Sequence, residues 1–131
     1  QEAEIDDYLC YVYTLPMIAA EKLRAICQQM DGYPLTTHPR PRARDFYDLY
    51  AIVTERALDF ARADFHDLVR HMFAAKDVPL AFLAQIPEQE AFHAQDWAAV
   101  RDAIKSGAQD FSYYFAFVVK QLAKLKPLWE E

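Results

Sequence analysis

The residues best suited to chemistry in this chain are charged groups set among apolar ones, in EKLRA at 21–25 and RARDFYDLY at 42–50. The first segment lies in a helix predicted from about Leu15 to Met30. At roughly 100° per residue, Leu15, Ile18, Ala19, Leu23, Ile26 and Met30 share one stripe. Lys22 falls inside that stripe, whereas Arg24 points to the opposite side. An ammonium on an apolar face is costly unless it snorkels to water or meets an anion. Lys22 therefore needs a partner, either a carboxylate of this chain or an anionic ligand.

The second segment supplies carboxylates. A basic loop, HPRPRAR at 38–44, passes directly into a helix with Asp45 and Asp48 in its first turns, where acidic residues suit the positive end of the helix dipole. Phe46, Leu49, Tyr50, Val53, Ala57 and Phe60 form the expected core stripe. Asp48 falls on the far side with Arg44, Glu55 and Asp59, and Asp45 lies near the edge. In the plainer reading this is a solvated face with an Arg44–Asp48 pair at i,i+4, worth a few tenths of a kcal/mol.

Taken together, a Glu-Lys helix, a short connector and Arg-x-Arg-Asp-Phe-Tyr-Asp-Leu resemble the C-terminal half of the AbiEii/AbiGii-type nucleotidyltransferase toxins. Glu21, Lys22 and Ala25 match the first motif of that half, and Arg42, Arg44, Asp45 and Asp48 match the second. The likeness is clear over about residues 8–60 and is one of helical pattern beyond. It implies transfer of a nucleotide from an NTP to an acceptor, RNA in some members, by a toxin paired with an antitoxin. It implies that Lys22 contacts the triphosphate and that Arg42 and Arg44 add phosphate contacts or hold the aspartates. Asp48, and secondarily Asp45, would orient Lys22 or the acceptor hydroxyl, and Glu21 would anchor the two helices through an ion pair.

One departure is large. Such enzymes hold their metal with a Gly-Ser turn followed by paired aspartates on adjacent strands. The two glycines here, Gly32 and Gly107, neither precede a serine nor lead into D-x-D. Asp6 and Asp7 are adjacent, and on a strand they would face opposite sides. The expectation is a C-terminal helical part whose catalytic half lies upstream, consistent with a chain starting at Gln1. Mg²⁺ and NTP would then bind in the full-length protein. This part would supply no metal ligand and would be inactive alone.

Length and composition fit one compact unit of 131 residues with 53% apolar content. The longest apolar run, Tyr113 to Val119, is too short to span a bilayer, and no secretory signal opens the chain. Cys10 and Cys27 lack metal or redox spacing and read as reduced thiols of a cytoplasmic protein. A net charge of −6 argues against a general nucleic-acid surface. Positive charge is instead local, at Arg40, Arg42 and Arg44, where forked guanidinium groups suit phosphate.

The elements needed to position these groups are mainly α, a bundle of five or six helices. Residues 5–14, β-branched and aromatic, read as a strand left from the preceding sheet, giving an arm over 1–14 and a helical domain over 15–131. Thr14 should cap the first helix, with Pro16 in its first turn, and Asp31-Gly32 should end it with glycine in the left-handed conformation. Later helices are predicted at about 64–76, from Pro79 to about Gln85, from Asp96 to Gly107, and at about 109–126. The last has Phe111, Tyr114, Phe115, Val118, Leu122 and Leu125 on its inner face. Tyr113, Phe117, Lys120 and Lys124 form a second, mixed face.

Two other readings compete. One is a helical binding module in which Lys22 and Asp45 or Asp48 form a structural ion pair. The other rests on Arg62-Ala63-Asp64-Phe65-His66, a near miss to the Arg-polar-x-x-x-His motif of HEPN-type ribonucleases, with one intervening residue too few. His66 and His71 are not at i,i+4 and His38 and His93 are isolated, so all four read as surface or capped histidines rather than metal ligands.

Overall fold

The computed structural model describes residues 14–104 and 107–130. Among them are six α-helices and two 3₁₀ segments: α1 Leu15–Cys27, α2 Ala43–Arg56, α3 Ala63–Ala75, the 3₁₀ segment Leu80–Gln89, α4 Glu90–Ala94, α5 Trp97–Ala103, α6 Phe111–Leu122 and the 3₁₀ segment Ala123–Leu128. The protein is a helical bundle, as the apolar periodicity predicts. The predicted strand, apart from Thr14, lies outside the described residues. No described helix is long and apolar enough to cross a membrane.

Helix α1 starts as its sequence dictates. The Thr14 hydroxyl accepts from the Met17 amide at 3.3 Å, and Pro16 sits in the first turn, where its missing N–H costs nothing. Its end differs from expectation. The helix stops at Cys27, with Gln28 in right-handed geometry as the C-cap, and Gly32 does not have a positive φ. Gly32 is needed for a different reason: a Cβ built on it would come within 3.0 Å of the Phe82 ring, so glycine lets the first 3₁₀ segment close over this turn.

Helix α2 is also shorter than its apolar stripe. It ends at Arg56 because Ala57 takes the left-handed conformation, φ 54°, which places Ala57 outside the core and returns Phe60 to the interior from a loop. A Cβ is disfavoured in that conformation. Ala57→Gly is therefore expected to stabilise the protein by about 0.5–1 kcal/mol, read as a higher urea midpoint at unchanged m-value.

The bundle places α1 against both α3 and α2, and α2 against α6, while the first 3₁₀ segment packs on α1 and α6. Phe46 lies at the centre, fully buried, with ring centroids 5.0 Å from Phe115, 5.2 Å from His93 and 5.6 Å from Phe111. Burying a phenyl ring of this kind contributes about 1.5–3 kcal/mol, so the turn of α2 that carries Arg42–Asp48 is fixed to the core at Phe46 and Leu49. Tyr113 and Phe117 meet Tyr50 edge-on across α2 and α6, which accounts for the second face of α6. Cys27 is a buried free thiol, and burial pushes its pKa up, away from reactivity.

Candidate functional site

Lys22 projects from the middle of α1 toward the first two turns of α2. Its Nζ lies 3.2 Å from Asp45 Oδ1 and 3.0 Å from Asp48 Oδ2. Each carboxylate also holds an arginine of its own helix: Arg42 Nε donates to Asp45 Oδ2 at 2.7 Å, and Arg44 Nε donates to Asp48 Oδ1 at 3.0 Å. Three cations thus surround two carboxylates. Burial would lower the Lys22 pKa, but Asp45 and Asp48 outweigh it and hold the ammonium above the ordinary lysine value. The Asp48 hydrogen bond and charge likewise raise the Arg44 pKa. Lys22 and Arg44 are therefore charged at neutral pH.

Asp45 is the buried member, only 5% exposed, although its sequence position put it near the edge of α2. The start of α2 is covered on one side by α1, through Lys22, and on the other by the α4–α5 segment. Asp48 faces Lys22 as well, so it does not point away with Glu55 and Asp59. Arg24, on the side of α1 opposite the stripe, reaches α3, where its Nη1 donates to the Met72 carbonyl at 3.3 Å. Glu21 does not bridge to α2; its ion pair is with Arg24 on the same helix, at 3.8 Å.

Two clefts flank this cluster. One, of about 280 Å³, is lined by Ile18, Glu21, Lys22, Arg24, Arg42 and Asp45. The other, of about 500 Å³, is lined by Arg40, Pro41, Arg42, Arg44, Asp45 and Asp96. Arg42 and Asp45 belong to both and form the wall between them. The basic loop is tied down by the Arg40 amide, which donates to Gln29 Oε1 at 2.9 Å. All six residues singled out by their motifs, Glu21, Lys22, Arg42, Arg44, Asp45 and Asp48, thus lie at one junction of α1 and α2.

Sequence reasoning missed His93 and Asp96. His93 is fully buried rather than at the surface, and its Nδ1 accepts the Arg42 amide at 2.9 Å. Asp96 Oδ1 accepts the Ala43 amide at 3.2 Å. No spacing signal could have revealed this, because both side chains cap a helix more than fifty residues away and neither caps its own. Arg62 and His66 do not form a pair: Arg62 binds Asp64 through two bonds of 3.0 Å, and His66 Nε2 lies 3.0 Å from the Lys124 carbonyl.

The bundle thus brings one lysine and two arginines around paired aspartates at the junction of α1 and α2. The family model described as "Nucleotidyl transferase AbiEii toxin, Type IV TA system" matches residues 3–121, and the chain belongs to that family. No curated protein and no solved structure matches it.

Proposed function

We propose that this chain is the helical part of a nucleotidyltransferase that moves a nucleotide from an NTP to an acceptor such as RNA, within a toxin–antitoxin pair. One observation carries this reading: a half-buried ammonium shared between two aspartates, each also bound to an arginine. An ammonium has three N–H donors; Asp45 and Asp48 take two, leaving one for a phosphate oxygen. With Arg42 and Arg44 the cluster keeps an excess of positive charge, although the whole chain carries −6. In the transfer, an acceptor hydroxyl attacks the α-phosphorus, the bond to the β-phosphate breaks, and pyrophosphate leaves. Lys22 would neutralise charge on the triphosphate, and the arginines would hold its oxygens or those of the acceptor. Asp48, the more exposed carboxylate, would orient the acceptor hydroxyl.

These residues do not fit a divalent ion. Asp45 and Asp48 are already neutralised by cations, and no group of three or more metal-ligating side chains occurs among the described residues. In this reading Mg²⁺ belongs to a preceding catalytic half, and this chain alone transfers nothing when given NTP and Mg²⁺. The test is a transfer assay in which the chain is joined to that half. Lys22→Ala should lower turnover at least 10²-fold, about 2.7 kcal/mol of transition-state stabilisation, while Glu55→Ala on the exposed face should change little. Near wild-type turnover in a folded Lys22→Ala protein would instead favour the binding module, with the cluster as scaffolding.

A further inference from the structure

We infer that His93 and Asp96 are positioning residues, a clamp from the α4–α5 segment that holds the first turn of α2 so that Arg42 and Asp45 meet Lys22. Any role of this clamp in nucleotide transfer rests on the function proposed above; the clamp itself rests on geometry.

The start of a helix leaves backbone N–H groups without intrahelical partners, and a capping side chain usually satisfies them. Arg42, the N-cap of α2, makes no such bond. Two side chains from elsewhere replace it. His93 takes the Arg42 amide, and Asp96 takes the Ala43 amide. A backbone N–H can only donate, so His93 Nδ1 must carry a lone pair and its proton must sit on Nε2. That Nε2 is buried without a hydrogen-bond partner, in a ring that packs against Phe46 at 5.2 Å and Phe92 at 5.0 Å. An unsatisfied buried N–H is unfavourable, so the site accepts a cost in order to present an acceptor to Arg42.

The consequence reaches the charged cluster within three residues. Arg42 and Asp45 occupy the N-cap and N3 positions of the clamped turn, where the Asp45 amide closes back onto the Arg42 carbonyl at 2.9 Å. The Arg42 guanidinium meets the Asp45 carboxylate, and that carboxylate meets Lys22. Releasing the Arg42 and Ala43 amides would let this turn fray, and Asp45 would withdraw from Lys22. Asp96 stands in the arginine-lined cleft itself, so the clamp also fixes the wall between the two clefts.

The experiment compares His93→Asn with His93→Leu, and Asp96→Asn with Asp96→Ala, in this chain by NMR. Asparagine places an oxygen close to the position of Nδ1 and keeps the acceptor; leucine and alanine remove it. With the acceptor lost, Arg42 or Ala43 amide exchange should accelerate at least 10-fold relative to Val118 in the α6 core, and the Lys22 ammonium should titrate lower than in the parent protein. The asparagine variants should restore both. The Asp96 pair keeps the test decisive if His93→Leu does not fold, since Asp96 is only half-buried. Uniform acceleration at Arg42, Ala43 and Val118, or an unchanged Lys22 titration in Asp96→Ala, would show that the two residues only add global stability. The transfer assay separates the two ideas: loss with Lys22→Ala but full turnover in a folded Asp96→Ala protein would overturn the clamp's part in transfer and leave the proposed function standing.

Discussion

Replacing Asp45 with alanine is expected to cost about 3 kcal/mol of folding stability, while Lys22→Met should cost less than about 1 kcal/mol. The asymmetry follows from who is left without a partner. Among the described residues, Asp45 is the only carboxylate shared by Lys22 and Arg42, and its side chain is 7% exposed. Removing it leaves two cations beside a low-dielectric wall, with Asp48 able to compensate only Lys22. Desolvated charge without a counter-charge is among the costliest defects a fold can carry. Lys22→Met removes a cation but keeps the stem, and each aspartate still holds its own arginine. Asp45→Asn, which keeps an oxygen acceptor and loses the charge, should fall between. Urea denaturation of the three variants measures the order directly. Equal losses for Asp45→Ala and Lys22→Met would mean that the cluster is wet enough for neither charge to depend on the other.

That ordering also shows how far the sequence could be read. An ammonium inside an apolar stripe demanded an anion, and the stripe together with the aspartates of the next helix named the anion correctly. The motif residues did converge. Which aspartate is buried was not legible from α2 alone, because a helical wheel gives directions but not what stands opposite. Asp45 is buried by α1 and by a segment fifty residues downstream. For the same reason α1 alone could not show that α3 covers its second side at Arg24. Helix ends were the weakest part: Ala57 and Gly32 exchange the roles that their side chains suggest, alanine turning left-handed and glycine admitting a neighbour's ring. The capping pair was invisible because its spacing is tertiary, and nothing local distinguishes His93 from an ordinary surface histidine.

Acid should expose that histidine. His93 is expected to make the protein lose about 3 kcal/mol of stability between pH 6.5 and pH 4, beyond what its other groups contribute. Burial is the main cause, since it penalises the imidazolium and pushes the pKa down from 6.5 to about 4. Asp45 opposes the shift and Arg42 reinforces it. The sign follows from proton counting. In the unfolded chain the imidazole binds a proton below about pH 6.5, while the native ring stays neutral until about pH 4. Within that window the unfolded state holds more protons, so stability is full above pH 6.5 and falls as the pH drops, by about 1.4 kcal/mol per unit. Protonation also removes the lone pair that receives the Arg42 amide, and it sets a second cation beside Arg42. Every other ionisable group is common to the parent protein and His93→Asn, so the difference between their unfolding free energies isolates this ring. Unfolding free energies from urea denaturation between pH 7 and pH 4 should converge by that amount, the parent losing stability faster. If the two curves run parallel, His93 is protonated as readily in the native protein as in the unfolded chain, and its nitrogen cannot be the acceptor that holds α2.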